Sequence, residues 1–355
     1  MLLVLVLAAV LWGVGAAMGT PRPLRRAMIA ALWGAVVLAH LLLPAGHPIR
    51  MATGESAALW LLIGGAVGLV LVYRAGLGWL RARAGARVAK AAPGPLFSEA
   101  ELDRYARHIV LRELGGPGQK ALKQARVLVI GAGGLGSPVL LYLAAAGVGT
   151  IGVIDDDEVD NSNLQRQVIH RDADIGCPKV ESALRAMQAQ NPAVTVRPYA
   201  RRLTPEIAAD LFAEYDLIVD GTDNFATRYL ANSTAALQGK PLISGALSQW
   251  EGQVSVFDPA RGAPCYQCIF PQAPAPGLAP SCAEAGVLGP LPGVVGSMMA
   301  AEAIKVITGA GQALRGEMLI YDALYGESRK IALRPRADCP VCGRQGERDE
   351  QPAAG

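Results

Sequence analysis

Charge is scarce in this sequence. Only 18% of its 355 residues are Asp, Glu, Lys or Arg, against 52% hydrophobic. Aromatic residues are rarer, at 5%. The formal net charge of +3 is too small to argue for a nucleic-acid partner, and no basic groove interleaved with aromatics is present. No internal repeat is visible, which excludes solenoids and propellers. What remains is a chain long enough for one large α/β domain with extra elements, and oily for a soluble enzyme.

The missing charge is concentrated in the first 80 residues. Met1–Gly19 carries none, Ala27–Leu43 none beside the neutral-leaning His40, and Ala57–Tyr73 none. Each run is about the length that crosses a bilayer core as a helix. Arg22, Arg25 and Arg26 follow the first run, and Arg74, Arg81, Arg83, Arg87 and Lys90 follow the third. The stretch between the second and third holds one Arg and one Glu. Positive charge therefore falls on alternate sides. The positive-inside rule predicts three transmembrane helices, with the N-terminus outside and the bulk of the chain in the cytoplasm. A cleaved signal peptide fits poorly, because the basic residues come after the apolar run and not before it. Core helices fit poorly too, since none of the three runs has a polar face.

Residues 1–80 are thus read as a membrane segment and 81–96 as a small basic linker ending in AAPGP. Residues 97–345 form the main domain, and 346–355 a disordered tail. Ser98 and Glu101 give a capping-box pattern before the helical stripe Leu102, Tyr105, Ile109 and Leu111–Leu114. RVLVIG reads as a buried strand, Ser137–Ala146 as a helix and TIGVID as a second strand, which together make a βαβ unit. KVESALRAMQAQN is a helix, VTVRPYARRL a strand, TPEIAADLFAEY a helix and DLIVDGTDN a strand. PLISGALSQWEGQVSVFDP reads as two antiparallel strands. A Pro/Gly-rich crossing over 271–292 precedes a small-residue helix near 293–308, and MLIYDALYGESRKIAL closes as a hairpin. The expected class is α/β: a Rossmann-like nucleotide-binding domain whose mixed sheet continues into an antiparallel part, preceded by the three membrane helices.

The turn GAGGLG after the first strand carries Gly131, Gly133 and Gly136. These permit a tight turn and close backbone approach to phosphates at a helix N-terminus. Asp155 ends the second strand, where a carboxylate accepts ribose hydroxyls. Any ribonucleotide satisfies that much, so the residues that follow decide between NAD and ATP. DNSNLQRQVIHRDADIGCPK places Asn163, Arg166, Gln167 and Lys179 beyond the ribose strand. Arg and Lys there neutralise a triphosphate. GTDN places Asp223 and Asn224 at the end of another strand, and a carboxylate facing phosphates calls for Mg²⁺ between them. ATP is the better reading, with an NAD-dependent oxidoreductase as the alternative. Two CxxC pairs, Cys265/Cys268 and Cys339/Cys342, suit tetrahedral Zn²⁺. Disulfides are the competing reading, disfavoured by the cytoplasmic placement. Cys177 reads as a packing residue.

These residues also carry a resemblance. RYARHIVLRELGGPGQKALKQARVLVIGAGGLGSPV, DEVDNSNLQRQ, GCPKVESA, DGTDN, EGQVSVF, CYQC, CAEAGVLGPLPGVVGS and CPVCG, in unbroken order over Phe97–Arg344, closely resemble the MoeB/ThiF family. These are adenylyltransferases that activate sulfur-carrier proteins and are related to ubiquitin-activating enzymes. The resemblance implies that ATP adenylates the C-terminal glycine of a small β-grasp carrier ending in Gly-Gly. A sulfur donor then loads the carrier as a thiocarboxylate, for molybdopterin or thiazole synthesis. Matched by motif, Gly134 approaches the nucleotide and Asp155 holds the ribose. Ser162, Asn163, Leu164, Gln165, Arg166 and Lys179 address the phosphates, and Asp223, beside Asn224, is the magnesium-linked carboxylate. Arg107 matches an arginine that enters the site of a second subunit, which implies a homodimer. The match strengthens the zinc reading for the two distant CxxC pairs, as a structural ion. Cys282 matches a cysteine that forms a thioester or sulfur-linked adduct with the carrier. The first 95 residues lie outside the resemblance, and no rhodanese domain is expected in this chain. A non-catalytic membrane scaffold with the same fold is a further alternative.

Overall fold

A computed structural model of the protein describes residues 2–44, 46–54, 56–87, 96–274 and 285–343, with backbone alone over 78–87. Cys282, residues 88–95 of the expected linker and the tail 346–355 lie outside the described residues. The chain divides into two compact units, Met1–Gly94 and Pro95–Gly355.

The first unit is helical: α1 (Leu2–Ala17), α2 (Arg22–Leu42), α3 (Pro48–Thr53) and α4 (Ala57–Arg87). Its interior is small. Val4, Val36, Val37 and Trp60 are buried together. Trp33 Nε1 donates to the Trp60 carbonyl at 3.0 Å, and Trp60 Nε1 donates to the Thr53 carbonyl at 3.2 Å. Gly64 leaves room for the Trp33 ring, which an added Cβ would meet at 2.1 Å. Two of these helices, α2 and α4 over Ala57–Leu77, are long and apolar enough to cross a membrane. The first is apolar but only 16 residues long, about 24 Å, short of a bilayer core of about 30 Å. α4 also runs on to Arg87, into the stretch expected to be linker.

The second unit holds an eight-stranded sheet in the order β3-β2-β1-β4-β5-β6-β7-β8. Its strands are β1 (Arg126–Ile130), β2 (Thr150–Ile154), β3 (Thr195–Tyr199), β4 (Leu217–Asp220), β5 (Leu242–Leu247), β6 (Glu251–Phe257), β7 (Glu317–Asp322) and β8 (Glu327–Ala332). The first five are parallel, and β5 to β8 pair antiparallel. The mixed sheet is thus the expected one, with β5 as the strand where the sense changes.

Alternation along β1 explains the layers. Val127 and Val129 point to one face and Leu128 and Ile130 to the other, as the pleat requires. On the first face pack α6 (Gly115–Gln124), α7 (Gly136–Ala146), α8 (Lys179–Gln190) and the helix Pro290–Thr308, here α12. On the second pack α9 (Pro205–Ala213), α10 (Phe225–Leu237) and the short α11 (Tyr266–Ile269). Buried on both faces, β1, β2 and β4 read as near-continuous apolar runs, while the edge strand β3 does not. α5 (Glu99–Ile109) starts at the expected capping box, with the Ser98 hydroxyl on the Glu101 N–H and the Glu101 carboxylate on the Ser98 N–H. Its stripe is shifted: Tyr105 is buried, but Leu102 is exposed and Glu101 takes the inner position, paired with Lys123. The helix ends at Ile109, so Leu111–Leu114 do not extend the stripe. The helices α6 and α10 and the short α3 and α11 had no counterpart in the sequence reading.

A candidate nucleotide-binding cleft and a four-cysteine cluster

The strand order leaves β1 with β2 on one side and β4 on the other. Chain connections run away from this point in both directions, so a crevice opens beyond the carboxyl ends of β1 and β4. A cleft of about 820 Å³ occupies it.

Its floor is the glycine turn. Gly131 has φ of +93°, and a Cβ there would meet the Gly221 carbonyl at 3.4 Å. A Cβ on Gly136 would lie 2.0 Å from the Gly131 oxygen. Gly136 therefore serves the close packing of α7 on the turn and does not line the cleft, whereas Gly131, Gly133 and Gly134 do. Beside the turn, Asp155 accepts the Ala132 N–H at 2.7 Å and the Asp157 N–H at 2.8 Å. Burial raises its pKa above the ordinary carboxylate range. A carboxylate so desolvated is ready to accept hydroxyl protons from a ligand. His170 braces the same turn, with Nε2 2.8 Å from the Ala132 oxygen and Nδ1 2.9 Å from Ser182 Oγ. Burial lowers its pKa, which keeps the ring neutral.

One wall is cationic. Lys179 begins α8, is only 5% exposed, and places Nζ 2.7 Å from Asp157 Oδ2. Arg166 donates to the Ser162 carbonyl at 3.1 Å and to Asn163 Oδ1 at 3.2 Å. Asn163 Oδ1 also accepts Gln167 Nε2 at 2.8 Å, while Gln167 Oε1 is buried with no partner. Across the cleft, Asp223 and Asn224 follow β4. Asn224 caps α10 by accepting the Thr227 N–H at 2.9 Å, and Asp223 is exposed to the cleft.

The structure thus gathers Gly131, Gly133, Gly134, Asp155 and Asn163 with Arg166, Lys179, Asp223 and Asn224 in one cleft. Ser162, Leu164 and Gln165 lie outside its wall, as does Arg107, which is exposed at the end of α5. Cys177 is half-buried and free. Sequence reasoning missed Asp157, Arg228, Tyr266 and Phe270, which also line the cleft. Arg228 stands four residues after Asn224, one turn into a helix that the sequence reading did not mark. Tyr266 lies inside the first cysteine pair and Phe270 two residues after it, where the thiols drew the attention.

Cys265, Cys268, Cys339 and Cys342 converge on one point, their sulfurs all within 4.8 Å of one another. Three S···S separations are 3.9, 3.5 and 3.3 Å. Tetrahedral Zn–S bonds of about 2.3 Å place sulfurs about 3.8 Å apart, so the cluster fits Zn²⁺. Without a cation, burial pushes the Cys265 thiol up to about 11.

Comparison with known proteins agrees with this geometry. The model of the ThiF family matches residues 105–341. Over 251 residues the chain is 53% identical to the sulfur carrier protein adenylyltransferase of Thermus thermophilus, a match covering 70% of this chain and 93% of that protein. It is 48% identical to the SAMP-activating enzyme E1 of Haloferax volcanii, over 69% of this chain and 90% of that one. It is 55% identical to the probable adenylyltransferase/sulfurtransferase MoeZ of Mycobacterium tuberculosis, of which it covers only 64%. Among solved structures, Escherichia coli MccB with ATP aligns at a TM-score of 0.59 and 24% identity, over 71% of this chain and 77% of that one. PaaA aligns at 0.59 and 24%, over 72% and 81%. At such identities the structural likeness speaks for the fold. With the family model matching residues 105–341 and a relative 53% identical over 251 residues, this chain belongs to the ThiF family.

Proposed function

We propose that the protein uses ATP to adenylate the C-terminal glycine of a small ubiquitin-like sulfur-carrier protein, preparing the carrier for sulfur transfer. The observation that carries this reading is the meeting of the cationic pair Arg166 and Lys179 with the unpaired Asp223 across one cleft floored by the glycine turn. NAD carries only a bridging diphosphate, which a glycine turn and helix N-terminus already address, whereas a triphosphate with its metal uses the added cations and the carboxylate. In the reaction, a carboxylate oxygen of the carrier attacks the α-phosphorus. The new P–O bond replaces the bond to the bridging oxygen, and pyrophosphate leaves. No protein nucleophile is required. The chain would contribute position and charge neutralisation: Asp155 would orient the ribose, Arg166 and Lys179 would face the phosphates, and Asp223 would hold Mg²⁺. A sulfur donor would then displace AMP from the acyl carbon, leaving a thiocarboxylate.

Relatives named for sulfur-carrier activation support the carrier as partner. The four cysteines leave no open position on a bound zinc, which would therefore hold structure and not reactants. Arg107, outside its own cleft, is read as reaching the site of a second copy in a homodimer. α2 and α4 are read as membrane spans with α1 as a shorter companion, the N-terminus outside and the second unit cytoplasmic. The test is ATP–pyrophosphate isotope exchange with small Gly-Gly-ending carriers that co-purify with the chain. Exchange that needs a carrier supports the reading. Exchange with none of them, or turnover of reduced nicotinamide without ATP, refutes it.

A further inference from the structure

Asp223 is exposed in the cleft, and no hydrogen bond or ion pair holds its side chain among the described residues. Its position is set by the backbone alone. That backbone is gripped from beneath. Asp220, 1% exposed at the end of β4, accepts the Thr222 N–H at 3.0 Å and the Thr222 hydroxyl at 2.6 Å. Arg228, 6% exposed, donates through Nη2 to the Thr222 carbonyl and, at 2.8 Å, to the Gly245 carbonyl. Its Nη1 reaches Ser244 Oγ at 3.2 Å, and the Ser244 hydroxyl donates onward to Asp220 Oδ2 at 3.1 Å.

Two buried charges are therefore joined through the Ser244 hydroxyl, and both also bind Thr222, one at its carbonyl and one at its N–H and hydroxyl. Such charges are costly to bury and weak as a source of stability. Apolar packing would brace a loop at less cost. What the charges add is direction, because they fix both peptide planes of Thr222. On the other side of Asp223, Asn224 is locked as the cap of α10. Asp223 is the single residue between two fixed points. Building on the functional reading above, we infer that Arg228 is a positioning residue for Asp223: with Asp220 it sets the turn that aims the Asp223 carboxylate at Mg²⁺-bound phosphate. A lysine cannot replace it, since one point charge does not reach the three acceptors that the planar fork holds.

The test is ATP affinity of the full-length chain in detergent, measured with excess Mg²⁺ and again with EDTA. The ratio of the two affinities reports what Asp223 contributes through the metal. Asp223→Ala should collapse the ratio. Arg228→Lys should lower it about 10-fold, the scale on which partners of metal-holding carboxylates act, and leave the EDTA affinity within about twofold. The double variant should be no worse than Asp223→Ala, because the arginine acts through that carboxylate. An Arg228→Lys chain with an unchanged ratio, or with equal falls in both conditions, overturns the inference. If Arg228→Lys does not fold, Thr222→Val takes its place. It loses only the hydroxyl bond to Asp220, should lower the ratio to a lesser degree, and overturns the inference if it does not. Wild-type protein that binds no ATP in either condition would instead refute the adenylation reading, and this inference with it.

Discussion

Lys179→Met separates stability from chemistry at one residue. Lys179 is 5% exposed, yet its partner Asp157 has a side chain 63% exposed. An ion pair with one wet partner is worth about 1 kcal/mol or less. Methionine keeps the unbranched stem that packs under α8. The variant should therefore lose about 1 kcal/mol, a fall of roughly 2–4 °C in Tm for a domain of this size. The reaction should suffer far more. On the proposed reading Lys179 is the buried cation that faces the phosphates, and losing one such donor costs about 100-fold or more in rate, about 2.7 kcal/mol of transition-state stabilisation. The pH behaviour should change as well. Burial raises the Asp155 pKa, while the two backbone N–H bonds and the Lys179 charge hold it down. Without Lys179, Asp155 takes up its proton at a higher pH, so ATP affinity should fail earlier on acidification than in the wild type. Carrier-dependent pyrophosphate exchange and thermal melts on the full-length chain measure both quantities. Exchange within 10-fold of wild type, at unchanged Tm, would refute the role given to this lysine.

His170 is neutral in the fold because burial lowers its pKa. The unfolded ring takes up a proton below about pH 6.5 that the folded ring refuses. Stability should fall as pH drops below that value and stay flat above it. His170→Gln should flatten this part of the Tm profile, and an unaltered slope would count against it. Cys339→Ser should release bound zinc, seen by elemental analysis, and lower Tm, since metal binding there is folding free energy. A full metal load in that variant would refute the four-sulfur site. Cys282→Ala should keep pyrophosphate exchange while reducing thiocarboxylate formation by mass spectrometry; loss of exchange would assign the thiol to the first step. The full chain should sediment with membranes and resist carbonate extraction, and recovery in the soluble fraction would end the anchor reading.

The sequence was most legible where local chemistry and global fold agree. The capping box of Ser98 and Glu101, the strand β1 and the glycine turn each declare themselves by residue type, and the structure has them where the pattern put them. The helices α6 and α10 did not. GGPGQKALKQ opens with residues that break helices, and its place is secured by Leu122, fully buried against α12 and the sheet. α10 follows GTDN without an apolar stripe of clear period, and so the arginine at its first turn went unread. In the site, charged residues one motif apart were legible as neighbours, and the structure brings Asn163, Arg166 and Lys179 to one cleft. The Asp157–Lys179 pair and the Arg228–Ser244–Asp220 chain were not, because they join residues 22, 16 and 24 positions apart that only the strand order brings together.

Hydropathy has a limit of the same kind, and α12 marks it. Pro290–Thr308 is as eligible by length and composition to cross a membrane as α2 is. Its apolar residues, however, are already spoken for. Leu291, Val295, Met299 and Ala303 recur at four-residue steps, all are 0 or 1% exposed, and they face the sheet and α7. Of its large apolar side chains only Val294 is exposed, at 36%. α4 is the reverse case. Leu62, Leu69, Val70, Leu71, Val72 and Tyr73 are each 55% exposed or more, and they point in every direction around the helix axis. An apolar stripe needs one covering face, and α12 has it. A helix that is apolar all round needs an apolar surrounding on all sides. No protein surface among the described residues of its unit supplies one, and a bilayer does. On the proposed reading the same hydropathy serves the core in one helix and a membrane span in the other, and what separates them is whether the apolar residues share a face.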